Sequence, residues 1–542
     1  MKDKLTGKDM VKHISRLKAE RNLYDSLFND VKEYYIPSAG DFFYHKQDVG
    51  NQENEYQYSI KGTQAAERLA QVLYSTVMPI HEQFFTLVPS TETNHDMKLW
   101  WHNATEILSA KLAESNLPKV AVQLLRSLVY YGTAPIHPAW VKNKLTFSTY
   151  FPEDCYIDTD YDQEVDVLVT TKHCSAQNLV KKYGKQVSER VRNKAERSQA
   201  NGAEDIVVYN YFKQCKDDVW RLYIVEEATK HIITEYAYST KPIMVPRWSS
   251  NSYEKYGRSP AIRGLPTVKS LNRVERTILR ASEKHVDPVI AIPVDAAANV
   301  DHLAFDINPG GYIEVMPDAT GGVSLPQPIA LGGNIEVGQY QVDKLEAMID
   351  EIFYMDVLTL IMDMNTTATA TQINSANAEK LDLMVPIIVQ LLSDLVKPLV
   401  ERSFQILMEE GEIPPPDFLE SPEDLEYNVE VQSSLIMKMR QLKNMSAMQS
   451  IQLLANLANL DPSVIDRIDF DALAESIVIN SNLPTDSIRS GRELEEYRVA
   501  KAEAAQQAAQ QQMMSQMVKP LDAQKASEPG SLGDTIMDAV SG

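Results

Sequence analysis

The sequence predicts a mainly helical α+β protein, and three observations carry that expectation. Apolar residues recur at helical spacing in two segments, 258–287 and 338–356, which flank an insert rich in Pro and Gly. Between about 146 and 248 the period changes to short Val-, Ile-, Tyr- and Thr-rich runs separated by polar turns. Long Leu-, Lys-, Glu- and Ala-rich stretches then fill most of the remaining chain.

In chain order, residues 7–34 predict an amphipathic helix that stops before Pro37. Segments 58–78 and 95–131 predict further helices, broken at Pro79 and Pro118. The adjacent Trp100 and Trp101 read as a core or interface pair rather than a ligand site. Strands are predicted at 146–151, 155–158, 166–171, 205–213, 219–226, 231–238 and 242–248. One helix interrupts them at 175–184, with Gly184 at its end.

The segment from 258 opens with Ser259 as a possible N-cap and Pro260 in the first turn, and breaks at Asp287-Pro288. Lys269, Arg273, Arg276 and Arg280 follow at steps of three or four and form a basic stripe. Asp343, Glu346 and Asp350 repeat at the same spacing in the second segment. Two helices of opposite charge suggest a pair that packs together or against neighbours; two ordinary solvated faces give the same pattern. The insert 288–337 has six prolines and three glycine pairs, so it predicts a small β-subdomain with strands near 289–292 and 312–315. Residues 357–371 are apolar and then Thr-rich. A helix follows over 372–410, with kinks expected at Pro386 and Pro398 and an end at Pro414. An acidic connection (418–430) leads to helices at 433–460, 463–478 and 491–517, the last Ala/Gln-rich, and 518–542 predicts a disordered tail.

A length of 542 residues suggests several cores. A net charge of -22 excludes a protein that grips nucleic acid through a broadly basic surface, but not one that DNA slides past. Three cysteines without paired spacing predict neither a disulfide framework nor a zinc site, and no apolar run is long enough to cross a membrane. No phosphate loop, dinucleotide fingerprint, nucleophile elbow or zinc-protease motif occurs; His81-Glu82 is followed by Gln83-Phe84-Phe85. Asp154, Asp158, Asp160 and Asp162 lack the Gly and terminal Glu of a calcium loop and read as a solvated acidic turn. The expectation is therefore no catalytic residue, no metal and no cofactor.

Four blocks in order resemble the head-to-tail connecting (portal) proteins of short-tailed bacteriophages. They are RLKAERNLYDSLFNDVKEYYIPSAGDF, YFPEDCYIDTDYDQEVDVLVTTKHCSAQNLVKKYG, YGRSPAIRGLPTVKSLNRVERTILRASEKHVDPVIAIP and the run beginning TATATQINSANAEKLDLMVP. The resemblance implies the portal fold: a wing (1–257), first stem helix (258–287), clip (288–337), second stem helix (338–356) and channel loop (357–369). A long kinked helix returning to the wing (370–432) and a helical crown (433–517) would follow. It implies a ring, usually of twelve subunits, at one capsid vertex, through which double-stranded DNA passes during packaging and ejection. Its partners would be further copies of itself, the major capsid protein, scaffold or internal core proteins, the packaging ATPase (terminase) and tail adaptor or nozzle proteins, with no membrane. The protein would reside in the virion after assembly in the host cytoplasm. Leu360, Ile361, Met362, Asp363, Met364, Asn365, Thr366 and Thr367 would form a channel collar without Lys or Arg, and the stem charges would fix the ring's register. A helical scaffold or adaptor that never conducts DNA is the alternative.

Overall fold

A computed structural model describes residues 6–36, 57–80, 82–89, 95–201, 205–215, 219–249, 254–286, 290–291, 327–328, 335–359, 383–415, 427–431, 497–499 and 501. The chain divides into two compact units, Met1–Leu442 and Lys443–Gly542. Only residues 497–499 and 501 of the second are described, all helical, so the expected helices and tail beyond 432 otherwise lie outside the described residues.

The first unit begins with α1 (Gly7–Tyr35), started by a capping box in which the Thr6 hydroxyl and the Asp9 carboxylate satisfy each other's backbone N–H groups. α2 (Lys61–Val77) follows, then β1 (Phe85–Pro89), α3 (His95–Glu114) and α4 (Leu117–Tyr131). The expected break at Pro118 is real, but it falls at Ser115-Asn116, because Pro118 fits the first turn of α4 where no N–H is required. β2 (Ile136–Val141) and β3 (Lys144–Thr149) form a hairpin whose two turn residues, Lys142 and Asn143, both have positive φ (52° and 58°).

A five-stranded antiparallel meander comes next: β4 (Cys155–Thr159), β5 (Val165–Ser175), β6 (Asp205–Gln214), β7 (Trp220–Glu226) and β8 (Ile232–Tyr238). Between β5 and β6 run α5 (Ala176–Tyr183) and α6 (Glu189–Asn201). The sheet buries both faces. One packs Leu168, Phe212, Leu222 and Ile224 against α5 and α6, and the other packs Val169, Tyr211 and Val225 against Met10, Ile14 and Leu17 of α1. Residues 242–248, expected as a strand, make only isolated bridges, Met244 to Ile136 and Arg247 to Thr133. Pro242 and Pro246 remove the donors that a continuous ladder needs.

The long helix α7 (Pro260–Val286) leads toward the insert, of which a two-residue pairing of β9 (Ile290–Ala291) with β10 (Gln327–Pro328) is described. The expected strand at 312–315 lies outside the described residues. α8 (Ile335–Ile352) returns beside α7. It stops short of the expected residue 356, because the chain turns at Tyr354 (φ 56°) and drives Phe353 into full burial beside Tyr35.

The expected helix 372–410 is described from 383 as α9 (Val385–Leu391), a π-helical turn (Leu392–Val396) and α10 (Lys397–Glu409). Pro386 begins α9 rather than kinking it. Pro398 acts as expected of a kink: its ring would crowd the carbonyl of Asp394, and the turn before it is widened. β11 (Tyr427–Val431) then pairs antiparallel with β1, Leu87 opposite Val429. Trp101 is buried against Phe404 of α10 and Tyr427 of β11, while the Trp100 Nε1–H donates to the Pro414 carbonyl at 3.1 Å, so the tryptophan pair is core, as expected.

Candidate functional site

The helices α7 and α8 are the most elaborately seated elements. Ser259 is the expected N-cap: its Oγ accepts from the Ile262 N–H at 2.9 Å and donates to the Tyr130 carbonyl at 2.7 Å, tying α7 to the end of α4. Gly257 presses against Gly132 there, and a Cβ on Gly132, already at φ 79°, would stand 2.2 Å from the Gly257 oxygen. The Tyr35 hydroxyl donates to the Ala261 carbonyl at 3.1 Å, and burial holds that phenol far above its ordinary pKa.

About three turns further on, buried Asn272 does what no side chain of α2 does for itself. Its Oδ1 accepts from the N–H groups of Tyr58 (2.6 Å) and Ser59 (2.9 Å), and its Nδ2 donates to the Val268 carbonyl (2.9 Å). α7 thereby closes the entry to α2, whose own N-cap position, Ile60, makes no side-chain bond. Sequence reading missed Asn272; an Asn within an apolar stripe was the available signal.

The two helices meet through size rather than charge. A Cβ on Gly338 would lie 2.9 Å from Ile278 Cγ1, so glycine permits the approach, and below it Val342 and Ile349 are buried. The charged residues are distributed around this contact. Lys269 Nζ pairs with Asp30 of α1 at 2.7 Å and lies over the Tyr34 ring. Asp350 and Glu346 meet Lys61 of α2 at 2.8 and 3.9 Å. Arg276 lies over Tyr58, 5.6 Å from the ring centroid. Arg273 borders a groove with Thr277, Ile278, Gly338 and Gln341, Arg280 is exposed, and Asp343 accepts from Gln339 within its own helix. Of the stripe residues, Lys269, Glu346 and Asp350 thus bind the helix pair to α1 and α2. Beyond α8, Val357 and Leu358 are buried. The expected collar, Leu360 to Thr367, lies outside the described residues.

Asp158 is not the solvated turn residue expected. It accepts from Lys255 Nζ (2.7 Å), Arg16 Nη2 (2.9 Å) and the His13 ring (3.0 Å), and Lys255 also reaches Glu20 at 2.6 Å. Burial raises the Asp158 pKa, but the hydrogen bonds from His13 and Lys255 outweigh it and hold the carboxyl well below the usual range. Asp160 does serve the turn, accepting from the Glu164 N–H at 2.8 Å. Among the described residues no cluster of His, Cys, Asp or Glu is arranged to hold a metal, and no helix is long and apolar enough to cross a membrane.

The described residues thus place a packed helix pair, α7 and α8, against α1, α2 and α4. The family described as bacteriophage head to tail connecting protein matches residues 8–488, and the chain belongs to that family. A "Probable portal protein" of Bordetella phage BPP-1 is 24% identical, over 100% of this chain and 98% of its own length. The "Portal protein" of Salmonella phage epsilon15 is 21% identical, over 96% of each chain. The family is one of structural virion proteins, and the chain is not an enzyme.

Proposed function

We propose that this head-tail connector closes into a ring, of twelve subunits as in the portals it resembles, at one vertex of the capsid. The ring conducts double-stranded DNA during packaging and ejection. It docks the packaging ATPase on one side and tail adaptor or nozzle proteins on the other, and contacts major capsid and scaffold or internal core proteins around its rim. Assembly takes place in the host cytoplasm. The observation that carries this reading is the helix pair. α7 is 27 residues, about 40 Å, and is locked at its base by Ser259 and Gly257 and near its middle by Asn272. In this reading α7 and α8 are the stem, 288–337 the clip, 1–257 the larger part of the wing, 357–369 the channel loop, 370–432 the return to the wing and 433–517 the crown.

Three further features support it. α8 leaves Val337 53%, Tyr340 71% and Met348 42% exposed, an apolar face suited to a neighbouring copy in a ring with a heterologous contact. Arg273, Arg276 and Arg280 face outward, where acidic groups such as Asp343 of an adjacent copy set the register. The chain's net charge of -22 favours sliding over gripping of phosphate.

Electron microscopy with native mass determination tests the reading. The expected result is a closed ring with an axial hole that admits duplex DNA. A chain that stays monomeric even with capsid and scaffold proteins present overturns it. Arg273→Glu with Arg276→Glu should impair ring closure, and deletion of 360–366 should disturb packaging or retention of DNA. Normal rings and normal packaging, respectively, would remove the roles given to those residues.

A further inference from the structure

A cleft of about 730 Å³ opens in the body with no residue of α7 or α8 in its lining, and neither the connector reading nor the ring requires it. Its walls come from four elements: β2, the sheet face of β5–β8, α5 and α10. Three cations converge on it, each laid over an aromatic ring. Lys172 lies 5.7 Å from the Tyr150 centroid, Lys182 5.2 Å from Tyr183 and Arg402 5.2 Å from Tyr238.

Arg402 is the anchor. Its side chain is 5% exposed, and Nη1 donates to Thr240 Oγ1 (3.1 Å), Gln405 Oε1 (3.4 Å) and Glu409 Oε1 (3.3 Å), yet its buried Nε has no partner among the described residues. The interior is electropositive. Burial pushes His137 down to about 4, with Lys172 and Arg402 adding to the shift. The Lys172 ammonium is reachable by solvent through the mouth but enclosed by the walls, and burial and Lys182 lower its pKa. Glu409 and Glu410 are the acids at the edge, and Glu409 is itself 55% exposed.

We propose that this cleft is a recognition site for an acidic peptide segment, taking a carboxylate side chain against Lys172 and Lys182, in the field of the buried Arg402 behind them, and an adjoining apolar side chain against the tyrosines. The volume lies in the range of specific ligand sites and admits a short peptide segment. Ammonium groups at the mouth backed by a buried guanidinium suit a carboxylate. A duplex presents its phosphates on a convex rod that does not enter a half-enclosed cleft, and a chain of charge -22 disfavours a polyanion over a single carboxylate.

Cys174 lines the cleft, which supplies the assay, and Cys215 lies outside it. The full chain is alkylated with iodoacetamide at mildly alkaline pH, and each cysteine is followed by peptide mass spectrometry. The probe is the peptide Ac-Glu-Phe-Glu-NH2, with Ac-Gln-Phe-Gln-NH2 as its neutral counterpart. At ten times its Kd the acidic peptide should slow Cys174 alkylation about ten-fold and leave Cys215 unchanged. Replacing the exposed Lys172→Met and Lys182→Met together should abolish the protection while buried Cys155 stays unlabelled, which reports an intact fold. Arg402→Gln should do the same, and the lysine pair keeps the test open if that variant fails to fold. No protection by the acidic peptide, equal protection by the neutral one, or protection by a single-stranded oligonucleotide alone each overturns the proposal.

Discussion

Asn272→Ala isolates the join between the long helix and the N-terminal bundle. The substitution removes the one acceptor shared by the N–H groups of Tyr58 and Ser59, at 2.6 and 2.9 Å, and leaves both donors at a site where Ser59 and Asn272 are buried. Each orphaned donor costs about 1–2 kcal/mol, so the local loss is about 3 kcal/mol. Hydrogen exchange measures this directly. The amides at the start of α2 should exchange about 100-fold faster, since about 1.4 kcal/mol is a factor of ten, while the sheet amides of β5 and β6 keep their protection. Arg276→Ala, which removes an exposed cation from the Tyr58 face, should change the same amides by less than about five-fold, a difference under about 1 kcal/mol. Exchange at Tyr58 and Ser59 within a factor of about three of the parent in Asn272→Ala, under about 1 kcal/mol, would refute the claim that α7 caps α2.

Three further outcomes are expected. Gly338→Leu should force α7 and α8 apart at Ile278 and cost about 2–3 kcal/mol in denaturant unfolding, whereas Gly338→Ala should stay within about 1 kcal/mol because its helix propensity offsets a small shift of Ile278; equal effects would remove the close-approach argument. A double-mutant cycle on Lys61 and Asp350 should give about 0.5–1 kcal/mol of coupling that fades with added salt, and a salt-independent value near zero would show that the 2.8 Å pair does not hold α8 to α2. His137 titrates near 6.5 when unfolded and at about 4 when folded, so the unfolded chain binds the extra proton between those values and stability falls as pH drops through that window, by up to about 3 kcal/mol. Glu153, lifted by burial to about 7 from 4.5, has the opposite sign and costs stability as pH rises from 4.5 to 7, so only the comparison of His137→Phe with the parent at pH 4.5 and 7 isolates the histidine; an unchanged difference between the two pH values would contradict it.

Elements with a local signal were legible. The basic stripe and the Ser259-Pro260 start mark α7, and the β-branched runs mark β4 to β8, because period and capping are written in neighbouring residues. What the sequence hid has physical causes. Among its described side chains α6 buries just Val191 and Ala195 on a strongly charged helix, so it shows no apolar stripe; its real start signal is Ser188, whose Oγ accepts from the Val191 N–H. β2 contains Pro138, which argues against a central strand but not against a two-stranded hairpin. β1 is five residues long and finds its partner in β11, with no local trace of the pairing. In the candidate site, residue types were legible and partners were not: Lys269, Glu346 and Asp350 stood out by spacing, but α1 and α2 complete their pairs. The cleft was invisible for the same reason, since His137, Lys172 and Arg402 come together only when α10 returns.

The pairing of β1 with β11 also sets a timetable for synthesis. The strand that carries Phe85 and Leu87 gains its pairing partner when residues 427–431 arrive, about 340 positions later. At translation rates of about 5–20 residues per second, that strand waits roughly 20 to 70 s beside the ribosome with its edge open. A nascent chain released early, at residue 257 for example, would carry an unpartnered Trp101 and an uncovered edge, and chaperone capture is its natural fate. The connector's body therefore cannot mature before the spine has been threaded out and back, so copies with an incomplete helix pair are held from assembly by their own unfinished sheet.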